Sequence, residues 1–116
     1  MNKNEYFFKE GCFIEEWHNS PNDESMSVAR VRVEFGKTTK LHSLKGTYER
    51  YVILEGVANV TVAHKTRQVQ ASDVVLIGPD EPQKIANTGS TDLIFLAICT
   101  PRFEEKNYIE LVDIPN

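Results

Sequence analysis

"KLHSLKGTYERYVILEG", residues 40–56, carries His42, Glu49 and a closing Gly56 at regular intervals, with Leu44 standing where a second histidine would be expected. Its second half alternates by position. Glu49, Tyr51 and Ile53 share one face, and Tyr48, Arg50, Val52 and Leu54 share the other, which is the period-two pattern of a β-strand. The question raised by the stretch is whether it is a metal site or what remains of one.

The same alternation continues on both sides. Upstream, "SMSVARVRVEF" (25–35) sets Ala29, Val31, Val33 and Phe35 on one face. Downstream come "VANVTVA" (57–63), "RQVQ" (67–70), "DVVLI" (73–77), "PQKIAN" (82–87) and "DLIFLAICT" (92–100). β-Branched and aromatic residues are frequent in these segments, and the breaks fall at Gly36, Gly46, Gly56, "AHKT", "GPDEP" and "NTGSTD". Short strands at such spacing predict an all-β sandwich or barrel. No window sustains the spacing of an amphipathic helix; "PRFEEKNYIELV" can supply at most a short C-terminal turn or helix after Pro101. "HNSPNDES" (18–25) is predicted as an exposed loop.

A length of 116 residues is expected to form one domain, 1–116, with strand candidates over 5–17 preceding the main run. The net charge of −4 disfavours nucleic acid as a partner. The longest apolar run, "LIFLAIC" (93–99), is far shorter than a membrane span, and "MNKNEYFFKE" lacks the apolar core of a signal peptide. The expectation is a cytoplasmic protein with no membrane partner. Cys12 and Cys99 are far apart and belong to no CxxC pattern, so both are expected as reduced thiols.

Written out from Gly36, the opening stretch reads G-x5-H-x-L-x4-E-x6-G, through His42, Leu44, Glu49 and Gly56. A second stretch, "SDVVLIGPDEPQKIANTG", follows. Together they resemble the two motifs of the cupin superfamily, the likeness extending over about residues 28–100. In the second motif Ser72 stands for the first glycine, Gly78 for a proline, Asp80 for the second glycine, Gln83 for a histidine and Asn87 for the closing asparagine. The broader pattern is similar to small single-domain cupins often labelled sugar-isomerase-like. The resemblance implies a double-stranded β-helix, or jelly roll, around a pocket that takes a small-molecule ligand or substrate.

Cupins with complete motifs hold a divalent metal through two histidines and the glutamate of the first motif and the histidine of the second. Carried over residue by residue, this set leaves His42 and Glu49, with Leu44 and Gln83 in the other two places. Leucine cannot ligate, and an amide is a weaker donor than imidazole for zinc, nickel, iron or manganese. His42, Glu49 and Gln83 remain as an open three-ligand face completed by water. The alternative is a metal-free pocket in which the same residues hold a ligand by hydrogen bonds.

Strand parity joins the two motifs in one pocket. His42 and Leu44 point the same way on an extended strand, as do Glu49 and Tyr51, and Gln83 and Ile85. Leu44, Tyr51 and Ile85 are therefore expected to line the pocket, with Glu49 either a ligand or the catalytic proton carrier. A buried Glu49 needs a partner: His42, a metal, water or Arg50. Tyr48 and Arg50 are expected on the outer or dimer-facing surface, His64 at a hairpin tip, His18 at a loop edge and Cys99 in the core. The family resemblance and the apolar residues of "YFFKEGCFIEEW" point to a homodimer. The function expected is a small-molecule cupin, a metal-dependent isomerase or oxygenase on a small oxygenated compound, or a non-catalytic binding module.

Overall fold

A computed structural model describes residues 4–113. The strands are β1 (Tyr6–Phe8), β2 (Cys12–His18), β3 (Ser27–Val33), β4 (His42–Leu44), β5 (Tyr48–Glu55), β6 (Val57–Val62), β7 (Lys65–Gln70), β8 (Val74–Ile77), β9 (Gln83–Asn87), β10 (Leu93–Thr100) and β11 (Tyr108–Glu110). They form two antiparallel sheets, one ordered β1-β2-β3-β10-β5-β8 and the other β11-β4-β9-β6-β7. The fold is a jelly-roll β-sandwich. Apart from the consecutive pairs β1–β2, β2–β3 and β6–β7, neighbours in each sheet are distant in sequence, so the core closes only when the whole run of strands is in place.

The alternation read from the sequence decides which residues fill the space between the sheets. On β3, Val31 and Val33 are buried; on β5, Glu49, Tyr51 and Ile53; on β10, Phe95, Ala97 and Cys99. The intervening residues Arg30, Arg50 and Arg32 face away. Phe35, expected with Val31 and Val33, lies beyond the end of β3 and is 64% exposed, because the chain leaves the strand pattern before reaching it. The C-terminal segment read as a turn or helix yields only a 3-10 turn at Glu105–Asn107, after which Tyr108–Glu110 pairs with β4. Sheet pairing takes the place of further helical turns there, and it brings Tyr108 opposite Leu44.

Four of the connections turn on residues with positive φ. Gly11 (φ +101°) lets the chain reverse between β1 and β2, where its N–H donates to the Phe8 carbonyl at 2.9 Å. At the tip joining β6 to β7, Ala63 and His64 both have positive φ, the backbone of a two-residue primed hairpin turn. Ser72 (φ +80°) and Asp80 (φ +65°) occupy the two second-motif places where glycine was expected, and both keep a glycine-type conformation. Each is anchored by its N–H, Ser72 to the Ile53 carbonyl at 2.9 Å and Asp80 to that of Leu44 at 3.0 Å.

Candidate functional site

A cavity opens between the sheets, leaving about 50 Å³ into which the centre of a water molecule fits. His42, Leu44, Glu49 and Tyr51 line it, together with Phe8, Tyr108 and other apolar side chains. Gln83 lies behind this wall and is fully buried, and Ile85 is equally buried in the core without bordering the cavity.

The position of each polar group follows from the strands. Glu49 is on β5 directly opposite Cys99 of β10, and His42 of β4 is opposite Gln83 of β9. Across the core, Gln83 Nε2 donates to Glu49 Oε1 at 2.9 Å, while the Tyr51 hydroxyl donates to Gln83 Oε1. One amide thus ties the two sheets together and fixes the carboxyl of Glu49. The Cys99 thiol donates to Glu49 Oε2 at 3.7 Å. Burial pushes the Glu49 carboxyl up to about 7, against the opposing pull of the Gln83 and Cys99 hydrogen bonds.

His42 is held by a backbone group. Its Nδ1 lies 2.7 Å from the Lys40 carbonyl, which can only accept, so Nδ1 carries the proton. Burial lowers the imidazole below its ordinary value, although the Lys40 bond favours the charged form. The ring is therefore neutral near pH 7, with a free lone pair on Nε2. Tyr108 stacks on it, centroids 4.9 Å apart and planes at 19°.

Two contributors escaped the sequence reading. Glu10, from the turn between β1 and β2, is buried, and its Oε1 stands 3.5 Å from His42 Nε2. Burial, reinforced by the charge of Glu49, pushes its carboxyl up to about 8, while a hydrogen bond with Cys12 acts in the opposite sense. The other is Tyr108, whose buried hydroxyl has no hydrogen-bond partner among the described residues. The signal for Glu10 was a lone acid between two apolar runs, indistinguishable by type from a solvated turn residue. Cys12 and Cys99 are both buried, and burial raises their thiols first of all, so they act as neutral packing groups.

The expected metal ligands do not assemble a fitting donor set. Leu44 offers carbon, and Gln83 turns its nitrogen to Glu49 and engages its oxygen with Tyr51. Among the described residues, no three His, Cys, Asp or Glu side chains are grouped to hold a metal ion. The arrangement that does exist is an acid–base one: a neutral imidazole and two carboxyls whose protons come off near neutral pH, in a largely apolar cavity.

The other histidines stand apart from the cavity: His64 is at the β6–β7 tip, and His18 Nε2 meets Asp23 Oδ2 at 2.7 Å. Asn87, closing the second motif, is structural. Its Nδ2 donates to the Val33 and Thr91 carbonyls at 3.0 and 2.8 Å, and its Oδ1 accepts from Gly89 N at 3.0 Å.

Two facing antiparallel sheets around a cavity, with motif residues from β4 and β5 on its wall and Gln83 of β9 behind them, define a jelly-roll domain of the cupin class. The family model described as Cupin domain matches residues 29–99, and the chain belongs to that family. An uncharacterized protein of Methanocaldococcus jannaschii is 31% identical over 104 residues, covering 88% of this chain and 83% of that protein. The oxalate-binding protein of Thermotoga maritima is 37% identical over 77 residues, or 66% of this chain and 64% of that protein. Among solved structures, Pac13, described as a nucleoside dehydratase, superposes with a TM-score of 0.81 at 17% identity, covering 99% of this chain and 91% of that one. That likeness is one of fold. No helix among the described residues is long and apolar enough to cross a membrane.

Proposed function

We propose that this cupin binds a small oxygenated compound in the cavity and moves protons on it with His42 and Glu49, without requiring a metal. The observation that carries the reading is the pairing of a neutral, backbone-oriented imidazole with a carboxyl held near neutrality by burial, both on one cavity. His42 Nε2 takes a proton from the substrate and the protonated Glu49 delivers one to a neighbouring oxygen or carbon. Gln83 and Tyr51 hold Glu49 in one orientation, and the apolar walls keep bulk water away. Isomerisation of a hydroxy-carbonyl compound is the reaction type this supports. The named functions of relatives, binding of oxalate in one and dehydration of a nucleoside in another, support a small-molecule ligand.

The test is deuterium wash-in. Candidate sugars and hydroxy-ketones are incubated in D2O with the chelator-treated protein and followed by NMR. Exchange at carbon that Glu49→Gln and His42→Ala both abolish supports the reading; exchange that survives both variants removes it. The metal-dependent isomerase or oxygenase reading rests on the retained spacing of His42 and Glu49, with Gln83 as a third ligand. It is checked by metal content on protein purified without chelator: near-stoichiometric metal, lost in His42→Ala and Glu49→Ala, would displace the metal-free reading.

A homodimer formed through the outer face of the larger sheet is consistent with exposed Leu54, Val74 and Leu76 on β5 and β8. A monomer by gel filtration would oppose it.

A further inference from the structure

The cavity has a second polar group beside the motif residues. Glu10 Oε1 stands 3.5 Å from His42 Nε2, beyond hydrogen-bonding distance for a direct contact. Tyr108 stacks on that same imidazole and is 7% exposed, yet its hydroxyl has no partner among the described residues. Buried polar groups in native proteins are normally satisfied, so the orphaned hydroxyl of a residue that lines the cavity is a group a ligand atom could satisfy.

The inventory of these groups limits what that ligand atom can be. With Nδ1–H committed to the Lys40 carbonyl, His42 Nε2 accepts. Glu10 offers carboxyl oxygens, and Tyr108 offers an O–H. A ligand hydroxyl answers all three, donating to Nε2 or to Glu10 and accepting from Tyr108. A carboxylate, which can only accept, can answer Tyr108 or a protonated Glu10 but leaves the Nε2 lone pair facing an oxygen lone pair. Among the described residues the cavity wall carries Glu10, Glu16 and Glu49 but no lysine or arginine. Taking an anion out of water there would go uncompensated by any cation on the cavity wall; Lys9 Nζ lies over the Tyr108 ring, 4.9 Å from its centroid, and does not line the cavity.

We propose that Glu10, His42 and Tyr108 form a subsite for a hydroxyl group of an uncharged polyol-like ligand, and that a cavity wall without a cation disfavours carboxylate anions such as oxalate. This deepens the acid–base reading above and rests on it for placing the substrate in this cavity. The hydroxyl so held sits beside the base Nε2 of His42. Glu10 lies outside the segment matched by the family model, on the hairpin that precedes it. The ligand preference is therefore carried by a part of the chain that the two motifs do not describe.

The experiment titrates 15N-labelled full-length protein, stripped of metal by chelator and dialysed, with glycerol and with oxalate, two probes of equal heavy-atom count. Glycerol is expected to shift the backbone amides of Glu10, His42 and Tyr108 with a millimolar dissociation constant, while oxalate at the same concentrations leaves them in place. Glu10→Ala should weaken glycerol about tenfold through loss of one hydrogen bond. Glu10→Gln, which keeps an acceptor of the same shape, should stay within about threefold of the natural protein. Oxalate shifting those amides as readily as glycerol, glycerol indifferent to Glu10→Ala, or no response to either probe would each overturn the proposal. Glycerol binding without substrate exchange in D2O would leave this subsite standing and remove the acid–base reading. Exchange without glycerol binding would do the reverse.

Discussion

Glu49→Gln should make the protein more stable near neutral pH and flatten part of its pH dependence. In the folded chain the Glu49 carboxyl is pushed up to about 7 from an ordinary value of 4.5, with burial the largest cause. At about 1.4 kcal/mol per pH unit, that difference amounts to about 3 kcal/mol. The folded protein holds this proton between 4.5 and about 7 while the unfolded chain has lost it, so raising the pH favours unfolding across that window. The stability present below 4.5 declines through the window and levels off above about 7. Glutamine keeps an acceptor for Gln83 Nε2 and has no proton to lose in this range, so the variant should lack this share of the decline. Urea denaturation at a series of pH values from acid to mildly alkaline measures it. Glu10, pushed up to about 8, contributes a further decline that persists in the variant. Equal pH slopes in the natural protein and Glu49→Gln would refute the placement of a proton on buried Glu49.

Gln83→Leu keeps the volume but strands Glu49 Oε1 and the Tyr51 hydroxyl in the core. A loss of about 3 kcal/mol is expected by denaturant titration, beyond the cost of an apolar swap. Ser72→Gly and Asp80→Gly place glycine where φ is already +80° and +65°, and relief of left-handed strain should stabilise by up to about 1 kcal/mol each, visible as a higher Tm. Leu44→His combined with Gln83→His supplies imidazoles at both substituted motif positions. Metal uptake by mass spectrometry should appear in the double variant and be absent from the natural protein.

Most strands were legible because apolar residues recur at every second position between turn residues, and a one-residue slip would reverse every side chain. That pattern alone sets Glu49, Tyr51 and Ile53 on one face of β5, and all three are buried. Tyr108–Glu110 was not legible as a strand: three residues are too few to show a period, and the pairing that fixes them is with the distant His42–Leu44. The motif spacing brought His42, Glu49 and Gln83 to notice, but spacing does not tell which atom of an amide faces which neighbour. That detail turned Gln83 from an expected ligand into the clamp on Glu49. Glu10 was hidden for a related reason. Its exposure is decided by where the Gly11 turn lies on the rest of the molecule, and its backbone carbonyl is tied there by Lys40 N at 2.8 Å.

The β1–β2 hairpin has a practical consequence for dissecting this molecule. A fragment trimmed to residues 29–99 would hold both motifs and span the whole segment matched by the family model. It would nonetheless strip β2 from β3, baring a row of unpaired backbone groups ready to recruit other chains. It would also lose the cavity wall formed by Phe8, Glu10 and Ile14, as well as β11 with Tyr108. Such a fragment would be expected to clump and to bind without discrimination, and an inactive result from it would say nothing about the chemistry of the intact chain.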